Sequence, residues 1–180
     1  MNIPNLLSML RLVLVPVFCG VFFSGMPHAH RIAGIIFLVA SLTDMLDGYL
    51  ARRLNQITKL GRVLDPLADK LMTAAALISL LIAKMVPLWI VVIFGIKELM
   101  MMLGGLVLYG KISDVPASNV LGKIATTLFF VSIVLIMLFE LPSSLTTPML
   151  SIATGFTLAA FVTYLYRFLR LVGQSRRTDQ

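Results

Sequence analysis

An all-α, polytopic membrane protein in one domain, 1–180, is the fold this sequence predicts, and three observations carry that reading. Hydrophobic residues make up 59% of the 180, and the mean hydropathy is +0.98, more apolar surface than a soluble domain of this size carries. The apolar residues fall into six runs, each close to the roughly 20 residues a bilayer crossing takes. The net charge is +7, and its Lys and Arg residues gather at the ends of those runs, where anionic headgroups lie. Nucleic acid is excluded as a partner, because no motif interleaves basic and aromatic residues. The single cysteine, Cys19, sits in an apolar run; it rules out an internal disulfide and reads as buried filler. MNIPNLLSMLR has neither a basic n-region nor a small-residue cleavage site, so no signal peptide is expected. The chain shows no internal repeat and no low-complexity segment.

The first segment, 6–23, follows a turn at Asn2–Asn5 and is interrupted by Arg11 and Pro16. Its beginning is expected to be a short N-terminal interfacial segment, with Arg11 at headgroup depth. The loop 24–31 holds His28 and His30, which read as solvated, since two loop imidazoles without a third ligand make a poor metal site. Segment two, 32–54, carries Asp44, Asp47, Gly48, Ala51 and Arg52 at its far end. A basic loop with Arg53 and Lys59 leads to segment three, roughly 61–84, which opens with Gly61 and Arg62 and carries Asp65 and Asp69. Pro66 disfavours helix at the residue before it, so this helix is expected to begin near Asp65. Segment four, 87–109, contains Lys97 and Glu98, which point about 100° apart on a helix and need not pair with each other. After a loop at 111–118, segment five, 119–139, opens on Gly122 and Lys123. A loop at 141–148 precedes segment six, 149–171, and the tail GQSRRTDQ is expected to fray.

Four of the eight acidic residues lie between positions 44 and 69, flanked on both sides by apolar sequence. Charge at membrane depth is costly, so such a cluster is a functional-site candidate. Asp44 and Asp47 are three apart, Asp65 and Asp69 four apart, and on helices each pair shares a face. Four bare carboxylates repel one another, and most would protonate unless a cation neutralised them. Oxygen-only ligation with no nearby His or Cys favours Mg²⁺ or Mn²⁺. Four carboxylates exceed what one Mg²⁺ usually recruits, which points to two ions, the arrangement that serves phosphoryl chemistry. Gly48 and Ala51 lie within about 40° of the Asp44/Asp47 face, and Gly61 stands on the Asp65/Asp69 face. Small residues there either admit a bulky polar group to the backbone or allow close helix packing. Arg52 can reach a phosphate beside the metals.

The residues Asp44-x2-Asp47-Gly48-x2-Ala51-Arg52-x8-Gly61-x3-Asp65-x3-Asp69 resemble the full signature of the CDP-alcohol phosphatidyltransferases, with every spacing intact. That resemblance implies a six-helix membrane enzyme that transfers a phosphatidyl group from CDP-diacylglycerol to an alcohol and releases CMP. It implies that Asp44, Asp47, Asp65 and Asp69 hold the metals, and that Asp69 takes the proton from the attacking hydroxyl. Gly48, Ala51 and Arg52, with Gly61, would contact the CDP moiety. Asn2-x-Pro4-Asn5-x2-Ser8-x2-Arg11 resembles the start of the branch that accepts glycerol 3-phosphate, although Ser8 stands where Thr is more usual and an amphipathic anchor explains the stretch equally. Ser118-x3-Gly122-Lys123-x2-Thr126 resembles a further element of that branch, with Ala125 in place of a second Lys. Lys97 departs from an Arg that usually precedes the Glu. The expected reaction is attack by glycerol 3-phosphate to give phosphatidylglycerophosphate, with Lys123, Lys97, Lys59 and Arg62 as candidate cations for the acceptor phosphate. A cardiolipin synthase of the same superfamily, accepting phosphatidylglycerol, is the alternative within the family.

From a different class, the same carboxylates would suit the ion path of a small cation transporter. Such a path needs polar residues through the midplane of several segments, whereas here they gather near one face and continue into a basic loop. Membrane lipids, CDP-diacylglycerol and the acceptor are the expected partners, and a second copy of the chain is a further candidate. Six crossings put both termini on one side, together with Arg52, Arg53, Lys59, Arg62, Lys111, Arg170, Arg176 and Arg177; the opposite loops offer mainly Arg31 and Lys84. The positive-inside rule therefore predicts a multi-pass cell-membrane protein with its termini and active site cytoplasmic.

Overall fold

The computed structural model describes residues 3–53, 61–108 and 120–178, and side chains at 6–43, 64, 65, 67–104 and 120–166. Six helices make up the described residues, with no strand among them: α1 (Ile3–Phe22), α2 (Ala29–Arg53), α3 (Gly61–Ile82), α4 (Leu88–Leu108), α5 (Val120–Phe139) and α6 (Ser143–Thr178). The all-α expectation therefore holds. Among the described residues two helices are long and apolar enough to cross a membrane, Val120–Phe139 and Ser143–Tyr166, and Leu6–Phe22 and Ala29–Thr43 are shorter apolar stretches. At 1.5 Å per residue, the 20 residues of α5 span about 30 Å, the thickness of a hydrocarbon core.

The helices group into two compact units. One comprises 1–86 with the end of α5 and the turn after it, 133–143; the other comprises 87–132 with 144–180. In the first unit, α1 packs along both α2 and α3, which touch each other over a shorter stretch. Each of these helices has two faces. On α1, Leu6, Met9, Leu10, Val13 and Val17 are exposed, while Ser8, Arg11, Phe18 and Phe22 are buried. On α2, Ile32, Ile35, Val39 and Leu42 face outward, and Ala29, Ala33, Phe37 and Ala40 inward. Apolar groups outside and an arginine inside invert the pattern of a water-soluble fold and suit contact with lipid. Among the described residues, Gly34 of α2 is a position where close approach requires glycine: a Cβ there would stand 2.8 Å from the Cβ of Met137.

Several sequence expectations are refined. α1 runs unbroken through Pro16, and its buried face continues from Ser8 to Phe22. Arg11 is 1% exposed, its side chain enclosed by protein. α3 begins at Gly61 rather than near Asp65, with Pro66 as its sixth residue. The loop expected at 141–148 is helical from Ser143, and the tail continues as helix to Thr178. Further along α6, hydroxyls are satisfied on its own carbonyls: Ser151 donates to Thr147 O at 2.6 Å, Thr154 to Leu150 O at 2.7 Å and Thr157 to Ala153 O at 2.8 Å.

The turns of the first unit are capped locally. Met85 N–H donates to Leu80 O at 2.9 Å and Lys84 N–H to Leu81 O at 2.9 Å, a Schellman end to α3 with Lys84 at φ 58°. Leu141 N–H donates to Ile136 O behind Glu140, at φ 49°, and Glu140 meets Arg31 at 3.5 Å. That pair joins the start of α2 to the end of α5, two helix ends that the sequence assigns to the same membrane face. His28 is exposed, whereas His30 is half-buried with its ring 4.6 Å from that of Phe22. Cys19 is half-buried rather than buried.

Candidate active site

The acidic pattern falls on helix, as its spacing requires. Asp44, Asp47, Gly48, Ala51 and Arg52 occupy the last turns of α2, and Gly61, Arg62, Asp65 and Asp69 the first turns of α3. Asp44 and Asp47 are separated by about 4.5 Å along the axis, Asp65 and Asp69 by about 6 Å. Gly61, Asp65 and Asp69 recur every fourth residue and so form one stripe on α3. Asp65 is half-buried and Asp69 exposed. The side chains of Asp44, Asp47, Ala51, Arg52 and Arg62 lie outside the described residues, as does Lys59 altogether.

A third helix reaches this site. The Ser8 hydroxyl of α1 donates a hydrogen bond to Oδ1 of Asp65. Ser8 is fully buried, and Arg11, three residues on and therefore on the same side of α1, is buried with it. Sequence reasoning leaves both outside the site residues. The signal that finds them is the Asn2–Arg11 pattern, whose Ser and Arg stand at helical i,i+3 spacing.

In the other unit, Lys97 pairs with Glu98, and its Nζ lies 5.6 Å from the centroid of the Phe94 ring. Lys123 is exposed in the first turn of α5, one residue after Gly122, which packs toward Ala160 of α6. Thr126 donates to the carbonyls of Gly122 and Lys123, each at 3.0 Å. Ala125, where a second lysine was missed, is 3% exposed and is a packing position.

The donor chemistry fits a hard divalent cation. Carboxylate oxygens are the ligand type on both helices, and His30 stands about 21 Å along α2 from Asp44, by 14 residues at 1.5 Å each. Among the described residues no three His, Cys, Asp or Glu side chains gather at metal-holding distance, the described pair being Asp65 and Asp69. Two carboxylates from one stripe can grip a cation or a proton, and a second pair from α2 would complete a multidentate set.

The chain is similar to known proteins of one family. A family model described as CDP-alcohol phosphatidyltransferase matches residues 1–166. The CDP-diacylglycerol–glycerol-3-phosphate 3-phosphatidyltransferase of Bacillus subtilis (strain 168) is 37% identical over 156 residues, 80% of either chain. A probable phosphatidylglycerophosphate synthase of Mycobacterium tuberculosis (strain H37Rv) is 37% identical over 185 aligned positions, covering 98% of this chain and 86% of its own. The CMP-forming cardiolipin synthase of Streptomyces coelicolor is 40% identical over 131 residues, 70% of this chain and 60% of its own.

Proposed function

The chain belongs to the CDP-alcohol phosphatidyltransferase family, and from that premise we propose that it transfers the phosphatidyl group of CDP-diacylglycerol to glycerol 3-phosphate. The observation that carries the proposal is the unbroken eight-residue pattern on the end of α2 and the start of α3, in a chain 37% identical to a named glycerol-3-phosphate phosphatidyltransferase over most of its length. The acceptor hydroxyl oxygen attacks the phosphorus that bears the diacylglycerol. The bond from that phosphorus to the bridging oxygen breaks, CMP leaves with the electron pair, and the hydroxyl proton passes to Asp69. Phosphatidylglycerophosphate and CMP are the products.

Each residue has a task in this reading. Asp44, Asp47, Asp65 and Asp69 hold two divalent ions, Mg²⁺ or Mn²⁺. Bound there, such ions neutralise pyrophosphate charge and stabilise the leaving oxygen. Asp69, exposed on its stripe, takes the proton of the incoming hydroxyl in this reading. Gly48, Ala51 and Gly61 leave room for the cytidine diphosphate, and Arg52 grips its phosphates. Lys123 is the leading cation for the acceptor phosphate, with Lys97, Lys59 and Arg62 as further candidates. The whole chain acts as one membrane domain with six crossings, its termini and aspartate loop in the cytoplasm, where the nucleotide-activated lipid and a charged acceptor meet.

The Streptomyces relative supports a second reading, in which phosphatidylglycerol is the acceptor and cardiolipin the product. Detergent-solubilised protein supplied with CDP-diacylglycerol and each acceptor in turn separates the two. Release of CMP with phosphatidylglycerophosphate as the lipid product is expected. Cardiolipin formed from phosphatidylglycerol at the higher rate would transfer the assignment to the second reading, and cation flux without CMP would remove both.

A further inference from the structure

Asp65 does not stand alone on α3: its Oδ1 accepts the hydroxyl proton of Ser8, a residue 57 positions earlier in the chain. Ser8 is 0% exposed, so no water competes for its hydroxyl, and burying it without a partner would be costly. A serine hydroxyl has one proton to give, and an ionised carboxylate has about four lone-pair sites. The bond therefore uses one site and pins the rotamer of Asp65, while Oδ2 and the rest of Oδ1 stay available. α1 is well suited to hold that rotamer, because it packs along both acidic helices and so fixes Ser8 relative to α3.

We propose that Ser8 is a positioning residue for the cation site: its hydroxyl holds the Asp65 carboxylate in the orientation that binds the divalent ion. This rests on the reading of Asp65 as a metal ligand. Outer-shell partners of ligating carboxylates typically contribute about ten- to a hundredfold to metal affinity. A hydrogen bond that merely tied α1 to α3 would change stability and leave metal affinity alone.

The test uses the full-length protein in detergent and Mn²⁺ as the probe, with uptake read from the loss of the free-ion electron paramagnetic resonance signal. Ser8→Ala and Ser8→Val should weaken Mn²⁺ binding about ten- to a hundredfold. Ser8→Thr, which keeps the hydroxyl and has the shape of Val, should bind as the native protein does. The Mn²⁺ concentration needed for half-maximal activity should rise in parallel, while KM for CDP-diacylglycerol at saturating Mn²⁺ stays unchanged. Native-like Mn²⁺ affinity in Ala and Val variants that melt like the native protein would overturn the proposal. Where those two do not fold, Ser8→Cys, of similar size but a weak donor, takes their place, and native-like affinity in it overturns the proposal equally. A native protein that takes up no Mn²⁺ and turns over in chelator removes the metal reading itself, whereas native uptake indifferent to Ser8 removes this proposal alone.

Discussion

Lys97 and Glu98, consecutive on α4, form an ion pair, although neighbouring side chains on a helix set out about 100° apart. The four-carbon stem of lysine is long enough to swing across that angle. The ammonium also lies 5.6 Å from the Phe94 ring, which itself meets Phe129 at 5.2 Å between centroids. With 12% and 22% of their side chains exposed, both charges are largely withdrawn from solvent, and each is the nearest remedy for the other.

Removing one partner should therefore harm the protein more than removing both. Lys97→Met is expected to cost about 1–3 kcal/mol, below the figure for a fully buried pair because some solvent reaches it. Lys97→Met with Glu98→Gln should recover most of that loss. A double-mutant cycle of thermal unfolding in detergent measures the coupling, and strictly additive losses would show there is none.

Lys123 offers a contrast, since it is exposed and free to meet a phosphate. Lys123→Ala should raise KM for glycerol 3-phosphate about ten- to a hundredfold, from the roughly 1.5–3 kcal/mol of a charge-assisted contact. KM for CDP-diacylglycerol and the melting temperature should barely move. Steady-state kinetics with each substrate varied in turn checks this, and an unchanged KM for glycerol 3-phosphate would take Lys123 out of the acceptor site.

The aspartates should be far less forgiving. Asp44→Asn or Asp65→Asn is expected to lower kcat/KM by several orders of magnitude, equivalent to at least about 4 kcal/mol of transition-state stabilisation. EDTA should abolish the native activity, and Mg²⁺ or Mn²⁺ should restore it. CMP release that continues undiminished in chelator would contradict the metal reading.

Gly34 tests the packing of the first unit. A methyl group there meets the Cβ of Met137, an atom fixed to its backbone, so a helix must shift. Gly34→Ala should cost about 1–3 kcal/mol, as overpacking does. At Gly95 an added Cβ meets nothing within 4 Å, and Gly95→Ala should be neutral or stabilise by up to about 1 kcal/mol. Thermal unfolding of the two variants side by side decides whether the close approach of α2 to the end of α5 is what matters.

Much of the fold was legible because its signals are local. Long apolar runs separated by polar loops marked the helices, and i,i+3 and i,i+4 spacing placed each aspartate pair on one face before any coordinates. The errors share a cause as well. Pro16, Pro66 and the hydroxyl-rich stretch at 143–148 carry local signals against helix, yet all three lie within helices. Lys97 and Glu98 were read from mean side-chain directions, which ignore how far a lysine stem can bend.

By itself the sequence determined the helical class, the eight-residue acidic pattern and, through that pattern, the family. These depend on composition and on spacings within about a dozen residues, which helix geometry converts directly into faces. Only the tertiary structure decided that α1 lies against both acidic helices, that Ser8 hydrogen-bonds Asp65 and that Arg11 is buried. Periodicity says which side of a helix is turned inward, but not which helix it meets. A contact between residues 57 apart depends on how whole faces fit together, and no local rule carries that distance.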